Sequence, residues 1–312
     1  MERSAPTGSG EFTPIGRALL ILGDQWTLLI LQRAFFRVRR FTDWQSELGV
    51  SPAVLATRLR ELVGRGILTT NPYYDELTSR TLQEYRLTDR GVAMWPITLA
   101  VWSWERHWGE HSGPLPRMIH LACGRNADVS MCCRRCGKVV SARDTRVDHV
   151  PEGPFTRSAP PRPHRRATQD QLPQDGLSRF PEVMEILGDR WNTSVLAAVF
   201  LGTRRFAELE RRLAISSTLL SARLRRLAEL GVLQSVSSSD PSDRPDYRLT
   251  DKGMAFFPVF ALLIDWAQRW LAGPPESQLV ITHRDCRRRL VPELCCTICG
   301  DVIDRRDVSW LS

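Results

Sequence analysis

Two short segments of the chain carry histidine and cysteine at the same spacing. They read HLACGRNADVSMCCRRCG over 120–137 and HRDCRRRLVPELCCTICG over 283–300. Both fit H-x2-C-x9-C-x2-C, in which the two-residue gaps let neighbouring side chains reach one ion. Three thiolates and one imidazole form a common ligand set for structural Zn²⁺. The pattern predicts two Cys3His zinc sites, one within each segment, with the ligands His120, Cys123, Cys133 and Cys136, and His283, Cys286, Cys296 and Cys299.

One further cysteine precedes the last pair of ligands in each segment. Cys132 and Cys295 could replace Cys133 and Cys296, but the gap to the last cysteine would then be three residues. The C-x2-C choice is followed by glycine in both segments, as in knuckle turns. Cys132 and Cys295 are therefore predicted to be free thiols, packed rather than reactive. Disulfides are not expected, because a cytoplasmic location, predicted below, keeps thiols reduced.

The predicted zinc ions are structural rather than catalytic. Four protein ligands leave no coordination position for water. The leading role is a clip that anchors the helix before each segment. Sensing of zinc or of oxidants through loss of a ligand is the alternative.

The positions of these segments follow from an internal duplication. LILGDQWTLLI at 20–30 matches EILGDRWNTSV at 185–195, and SPAVLATRLRELVGRGIL at 51–68 matches SSTLLSARLRRLAELGVL at 216–233, both at the same offset. YRLTDRG at 85–91 and YRLTDKG at 247–253 follow at a slightly shorter offset. So many ordered blocks indicate one module written twice.

The domain boundaries follow from the two copies and from composition. The stretch between the copies is rich in proline and arginine and poor in large apolar residues, which is typical of a linker. The predicted order is a disordered tail at 1–12, domain 1 at 13–112, zinc segment 1 at 113–145, a linker at 146–177, domain 2 at 178–273 and zinc segment 2 at 274–312.

Within one copy the apolar spacing predicts helix, helix, turn, helix, two-stranded hairpin, helix. Ser51 is a good N-cap for a helix over 51–65, and Gly66 is suited to end it. Asn71–Pro72 predicts the turn of the hairpin. Thr88 is expected to cap the last helix, which Pro96 kinks or delays. The predicted fold class is mainly α with small β-wings (α+β): two winged helix-turn-helix domains, each followed by a small zinc-ribbon-like segment.

Two short helices joined by a tight turn can place the second helix in the major groove of DNA. The outer face of that helix must then be small, polar or basic, and the hairpin acts as a wing on flanking DNA. The predicted recognition helices are 51–65 and 216–230. The candidate DNA-binding residues are Ser51, Ala53, Thr57, Arg58, Arg60 and the wing residue Arg80, and in the second copy Ser216, Ser217, Thr218, Ser221, Arg223, Arg225 and the wing residue Arg244.

These motifs support a family resemblance. ILGDQW…RRFTDW…LATRLRELVGRGIL…YRLTDRG, and its second copy, resemble the HxlR-type winged-helix regulators, relatives of the MarR group. The resemblance implies bacterial transcriptional control by dimers that associate through their terminal helices. Some members sense electrophiles through a cysteine before the first helix; the matching places here read FTPIG and SRFPEV, so that mechanism is not predicted.

The duplication leaves the biological unit open. Members of the family usually carry one such domain, and two chains read a two-fold site. This chain either folds as its own pseudo-dimer, reading two half-sites that need not match, or forms a homodimer with four winged helices.

Composition sets the remaining expectations. The net charge is +8, which suits a polyanionic partner such as double-stranded DNA. No long apolar run predicts a membrane span or a secretory signal, so a cytoplasmic, nucleoid-associated location is expected. Ten tryptophans, many in the last helices, are expected in core and interface; a small hydrophobic effector bound among them is a further hypothesis.

An enzyme is not predicted, because no phosphate loop, G-x-S-x-G motif or paired acid and base is present. The alternative function is a zinc-bearing protein-interaction adaptor, or a metal or redox sensor, that uses the winged-helix fold without specific DNA reading. An adaptor would lack DNA binding that resists competitor DNA and weakens with salt.

Overall fold

A computed structural model describes residues 18, 21–23, 25–76, 78–110, 115–149, 180–236, 245–271 and 279–311. The predicted tail, most of the predicted linker and Arg244 lie outside these residues. The first half is defined here as the described part of 18–110. Its elements are α1 (Gln25–Phe35), α2 (Phe41–Leu48), α3 (Pro52–Gly64), β1 (Leu68–Asp75), β2 (Arg80–Leu87), α4 (Asp89–Val92) and α5 (Trp95–Trp108).

The limits of α3 confirm the expected capping. The Ser51 hydroxyl accepts a hydrogen bond from the Val54 amide at 3.5 Å, and the helix ends before Gly66, whose φ is +67°. Leu55, Leu59 and Leu62 are at most 2% exposed and pack into the core. The buried stripe expected from their spacing is therefore present.

The wing is longer than the sequence indicated. β1 runs through Asn71 and Pro72 to Asp75, and the chain turns between Asp75 and Arg80. The turn predicted at Asn71–Pro72 is wrong, because a sheet of only two strands leaves room for a proline N atom that donates no hydrogen bond.

Thr88 begins a short helix instead of one long one. Its hydroxyl accepts from the Gly91 amide at 3.2 Å, and α4 ends before α5 starts at Trp95 with Pro96 in its first turn. A Cβ at Gly91 would overlap the Ile67 carbonyl oxygen, and one at Gly253 would overlap that of Val232. This close approach explains why both copies carry glycine at the end of the YRLTD motif.

The second half, defined as the described part of 180–271, repeats the same order. Its elements are α6 (Pro181–Leu187), α7 (Arg190–Phe200), α8 (Phe206–Leu213), α9 (Ser217–Glu229), β7 (Leu233–Val236), β8 (Asp246–Leu249), α10 (Asp251–Met254) and α11 (Phe257–Trp270). The Ser216 hydroxyl accepts from the Leu219 amide at 3.4 Å, as Ser51 does in the first half.

The residues that follow each half fold together into one body. Residues 115–149 and 279–311 form what is called here the Cys/His unit. Its strands are β3 (Arg117–His120), β4 (Arg125–Asn126), β5 (Val129–Cys133), β6 (Thr145–His149), β9 (Val280–His283), β10 (Arg288–Arg289), β11 (Pro292–Cys296) and β12 (Val308–Leu311). Its sheets are β12-β3-β4, β10-β9-β6 and β11-β5, so each combines strands from both segments.

This interleaving changes two expectations from the sequence. The predicted linker was to begin at residue 146, but β6 continues to His149 because it pairs with β9 of the second segment. The two zinc segments were expected to fold separately, but all three sheets of the Cys/His unit contain strands from both segments.

The two halves contact each other through their last helices. The Trp104 indole N–H donates to the Lys252 carbonyl at 3.1 Å, and the Trp266 indole N–H donates to the Arg90 carbonyl at 3.0 Å. Trp104 and Trp266 are at most 4% exposed. These tryptophans belong to core and interface, as expected. In the described parts of the chain, no helix combines the length and apolar character needed to cross a bilayer.

Candidate metal centres and nucleic-acid interface

Two clusters of one histidine and three cysteines lie in the Cys/His unit. One contains His120, Cys123, Cys296 and Cys299, and the other contains Cys133, Cys136, His283 and Cys286. Within each cluster the four ligand atoms lie within 4.8 Å of one another. All eight residues singled out from the sequence are therefore brought together in two groups of four.

The grouping expected within each segment is wrong. Each cluster combines the H-x2-C pair of one segment with the C-x2-C pair of the other. In the first segment, β5 follows the H-x2-C turn and ends at Cys133, the first residue of the C-x2-C pair. Its five extended residues span about 13 Å, which is far more than the width of one metal site. β5 and β11 run antiparallel, with Cys133 opposite Pro292 and Val129 opposite Cys296. This pairing brings each C-x2-C turn beside the H-x2-C turn of the other segment.

The distances between ligand atoms fit a tetrahedral ion. Zn–S bonds near 2.3 Å and Zn–N bonds near 2.1 Å give tetrahedron edges of about 3.8 Å between sulfurs and about 3.6 Å between sulfur and nitrogen. The Cys123 and Cys296 Sγ atoms are 4.0 Å apart, and Cys299 Sγ is 3.4 Å from His120 Nδ1. In the other cluster Cys136 Sγ and Cys286 Sγ each lie 3.4 Å from His283 Nδ1.

The backbone around the ligands is shaped for these contacts. Gly137 and Gly300 follow the C-x2-C pairs with φ of +71° and +79°, and their amides donate to the Cys133 and Cys296 carbonyls. The Ile298 amide donates to Cys296 Sγ at 3.4 Å. Both histidines are 1% exposed, so water is largely excluded from the imidazoles. The donors therefore suit a zinc ion held by protein ligands alone.

The thiols influence one another's protonation. The Asp301 backbone lowers the pKa of Cys299, while desolvation and hydrogen bonds with neighbouring thiols raise it, and the result is a pKa of about 11. Desolvation raises the pKa of Cys296, yet backbone amides and the Cys299 thiol hold it below its ordinary value. A metal ion must displace the protons of the thiols, so its affinity falls as the pH falls.

Cys132 and Cys295 form a disulfide, with their Cα atoms 6.1 Å apart. The prediction of free thiols is therefore wrong. In the β5–β11 ladder Cys132 lies opposite Glu293 and Cys295 lies opposite Ser130, so the two cysteines are diagonal neighbours on one face. The sequence of one segment cannot indicate this neighbour, because it comes from the other segment.

The disulfide predicts the outcome of thiol counting. Alkylation of the denatured, metal-free protein without reductant should modify six cysteines, which are those that are free in the structure. Prior reduction should raise the count to all eight cysteines of the chain. Intact-mass spectrometry gives both numbers. Eight modified cysteines without reductant would show that the bond is absent.

The proposed recognition helices have similar exposed faces. The exposed candidates are Ser51, Ala53, Thr57 and Arg60 on α3, and Ser216, Ser217, Thr218, Ser221 and Arg225 on α9. Arg80 begins β2 beside the wing turn and is exposed. Arg244 lies outside the described residues.

Two of the candidate arginines do not belong to this exposed face. Arg58 is 8% exposed and its guanidinium is 2.8 Å from Glu61. Arg223, its counterpart in the second copy, is half-buried and lies 2.9 Å from Asp189. Both positions fall on the buried stripe of their helices, three residues after its first leucine. Arg58 and Arg223 therefore lie off the exposed face of α3 and α9 that the sequence predicted for DNA contact.

Further surface residues of the helix-turn-helix and the wing were not among those predicted from the sequence. Arg40 and Arg205 are exposed immediately before α2 and α8, in the RRF motif of both copies. Tyr74 on the wing is 64% exposed, and Arg40 lies over the neighbouring Tyr73 ring at 4.7 Å. The repetition of the RRF motif in both copies could have indicated the two arginines. Tyr74 could not be placed on the wing from the sequence, because the turn was predicted at Asn71–Pro72, before this residue.

Comparison with known proteins identifies the module. The family model described as HxlR-like helix-turn-helix matches residues 21–113 and 186–274, which together make up more than half of the chain. The chain belongs to the HxlR-like family. Both matches cover the helix-turn-helix, the wing and the helix that joins the halves. The family resemblance found in the sequence is confirmed, and so is the repeated winged-helix fold.

Individual relatives align with about one HxlR-like module. An uncharacterized HTH-type transcriptional regulator of Mycobacterium tuberculosis is 37% identical over 126 residues, covering 40% of this chain and 80% of its own length. YvaP of Bacillus subtilis is 34% identical over 94 residues, covering 30% of this chain and 87% of its own. A solved structure, PA1607, is 30% identical and covers 40% of this chain and 84% of its own, with a TM-score of 0.34. The HxlR-like family and these curated relatives are transcriptional regulators rather than enzymes.

Proposed function

We propose that this chain is a sequence-specific DNA-binding transcriptional regulator that acts as a single-chain pseudo-dimer. The recognition helices α3 and α9 enter the major groove at two half-sites, and the wings contact flanking DNA. Two zinc ions in the Cys/His unit hold the halves in register and have a structural role. The family supports the regulatory function, and the contacts within the chain support the pseudo-dimer.

The reciprocal tryptophan contacts carry this proposal. A two-fold dimer has isologous contacts: if one residue of the first subunit contacts a second residue of its partner, the reverse contact is also made. Here Trp104 bonds to Lys252 and Trp266 bonds to Arg90. Trp104 and Trp266 are equivalent positions of the two copies, and so are Arg90 and Lys252. The two halves therefore contact each other as two subunits of a dimer would.

The two exposed faces indicate half-sites that are related but not identical. Arg60 and Arg225 occupy equivalent exposed positions and can each form a bidentate contact with guanine. Ala53 corresponds to Thr218, so the small residues beside these arginines differ. We expect an imperfect palindrome, with guanine in both halves.

In vitro selection of random duplex DNA, with the zinc-loaded protein and its mass measured in solution, tests this function. The expected result is a two-part motif bound by one chain, with binding that weakens as salt rises. Two chains per motif would reject the pseudo-dimer and retain the regulator. No enriched motif at low or physiological salt would reject specific DNA binding and favour the adaptor or sensor.

Replacing both exposed arginines should weaken specific binding. Arg60→Ala with Arg225→Ala removes two base contacts worth roughly 1–3 kcal/mol each, so affinity for the selected site should fall by at least about tenfold. Arg125→Ala with Arg288→Ala removes the same charge from equivalent exposed positions of the Cys/His unit. Fluorescence anisotropy at matched salt should show a much smaller loss for this control pair. Equal losses would mean that α3 and α9 do not read the bases.

A further inference from the structure

An open cavity of about 330 Å³ lies between the second half and the Cys/His unit. Its described lining comes from α7, from α11 and from the β6 and β9 region of the Cys/His unit. Most of these residues are apolar, and Phe200, Phe257 and Phe260 provide the aromatic surface. The volume lies at the lower end of the range for small-molecule sites in proteins.

The first half has the same site in a filled form. The equivalent place is a cavity of only about 20 Å³, between α1, α5 and Trp310 of β12. The Trp102 and Trp310 rings meet edge to face, with their centroids 4.5 Å apart, and Phe36 packs against Trp310 at 6.2 Å. Two indole side chains of the protein itself therefore occupy this space.

The strand registers establish that the two sites are equivalent. Trp310 lies opposite Met118 in the β12–β3 pair, and Val147 lies opposite Ile281 in the β6–β9 pair. Val147 thus takes the place of Trp310, and Ile264 takes that of Trp102, its counterpart in the first copy. Two tryptophans at one site correspond to two smaller aliphatic residues at the other. The missing aromatic volume is what opens the cavity in the second half.

The charged residues of the described lining are Arg146 and Arg284. Arg146 Nε lies 2.5 Å from Asp148, and Arg284 Nε donates to the Thr145 carbonyl at 3.0 Å. Both contacts involve the Nε of the guanidinium, and the contact between Arg146 and Asp148 is an ion pair at an exposed edge of the lining. Guanidinium groups bind carboxylates through paired N–H donors. An apolar ligand with one anionic group would therefore be complementary to the lining.

We propose that this cavity binds a small aromatic carboxylate, in the space that the indoles of Trp102 and Trp310 fill in the first half. The ligand would contact α7, which precedes the recognition helix-turn-helix, and α11, which joins the halves. It would also lie beside β9, the strand that ends at the metal ligand His283. The site thus adjoins the DNA-reading half and a metal centre, although ligand binding itself does not depend on the proposed function.

Calorimetric titration of the zinc-loaded full chain with 2-naphthoate tests the site. We expect about one probe molecule per chain, and roughly tenfold weaker binding of the neutral 2-naphthamide. The variant Val147→Trp/Ile264→Trp copies the first half and should weaken naphthoate binding by roughly tenfold or more, with zinc content and circular dichroism unchanged. Unchanged binding in this folded variant, or no binding by the native protein, would overturn the proposal.

The charge of the ligand has a separate test that does not require the cavity to be filled. Arg146 is exposed, and its replacement in Arg146→Gln should leave the apolar walls intact. The preference for 2-naphthoate over 2-naphthamide should fall while amide binding stays the same. An unchanged preference would overturn the assignment of an anionic ligand. Both titrations are made without DNA, so their outcome does not depend on whether the proposed DNA binding is correct.

Discussion

The double variant Cys123→Ala/Cys299→Ala is expected to retain about one zinc ion per chain, whereas Cys123→Ala/Cys136→Ala should retain none. In the first variant both substitutions fall in one cluster, so the other cluster keeps its four ligands. In the second variant each cluster loses a thiolate. Elemental analysis of the protein after gel filtration gives the zinc content directly.

The two variants are controls for each other, because each lacks two cysteines. If each segment held its own ion, Cys123 and Cys136 would share a site and the two results would be exchanged. The single variant Cys123→Ala should contain about one ion under either arrangement, which calibrates the measurement. A native protein that contains no zinc after purification with added metal would reject both arrangements.

If the two clusters bind zinc as proposed, each ion would have a role that a clip within one segment could not have. Each ion would join two turns that are far apart in sequence, such as those at Cys136 and His283. Lys138 and Asp285, 2.9 Å apart, lie beside the same junction. The binding energy of the ion would therefore favour the arrangement in which the two halves are held together.

The eight members of the two Cys/His clusters could be predicted from the sequence, but the way they divide into two groups could not. The spacings H-x2-C and C-x2-C are local, so they identify the donors within each turn. The choice of partner depends on the β5–β11 ladder, which is a pairing between residues 129–133 and 292–296. The same ladder determines the disulfide. Both errors therefore have one cause, which is a contact distant in sequence.

The proposed recognition helices show what sequence periodicity can and cannot predict. The cap at Ser51 and the stripe of leucines were predictable because each depends on residues within a few turns of one another. The position of Arg58 was also predictable, since it lies three residues after Leu55 and four before Leu62. Its partner Glu61 completes the local arrangement. Helical periodicity therefore predicts that Arg58 lies on the buried side of α3 rather than on its exposed face.

The variant Glu105→Gln is expected to stabilise the protein at alkaline pH. Glu105 on α5 is 1% exposed, and burial raises its pKa to about 7. Its carboxylate accepts a hydrogen bond from the Val183 amide at 2.9 Å and another from the Glu182 amide at 3.3 Å. These bonds and the nearby Lys252 favour the charged form but do not outweigh desolvation. Above pH 7 the native chain must therefore bury a charge that glutamine lacks.

The direction of the pH effect follows from proton linkage. The pKa of Glu105 is higher in the folded state than the ordinary value of 4.5, so the folded state binds the proton more tightly. The contribution of protonated Glu105 to the free energy of unfolding is fully present below pH 4.5 and is lost as the pH rises through 7. A shift of this size corresponds to a loss of up to about 3 kcal/mol in the free energy of unfolding. Glu105→Gln should remove this dependence.

Urea unfolding between about pH 5 and pH 9 measures the effect. Linkage predicts that the free energies of unfolding of Glu105→Gln and the native protein converge at the acid end. At the alkaline end the variant should be more stable by roughly 1–3 kcal/mol. Glu76→Gln, at an exposed position beside the wing turn, is the control and should follow the native protein throughout. Parallel curves for Glu105→Gln and the native protein would show that Glu105 does not titrate in this range.

The residue at the equivalent position of the second half is Ala267, so the pH dependence caused by Glu105 arises from one half only. A difference between the halves at their shared interface is possible because one chain carries both copies and each can change independently.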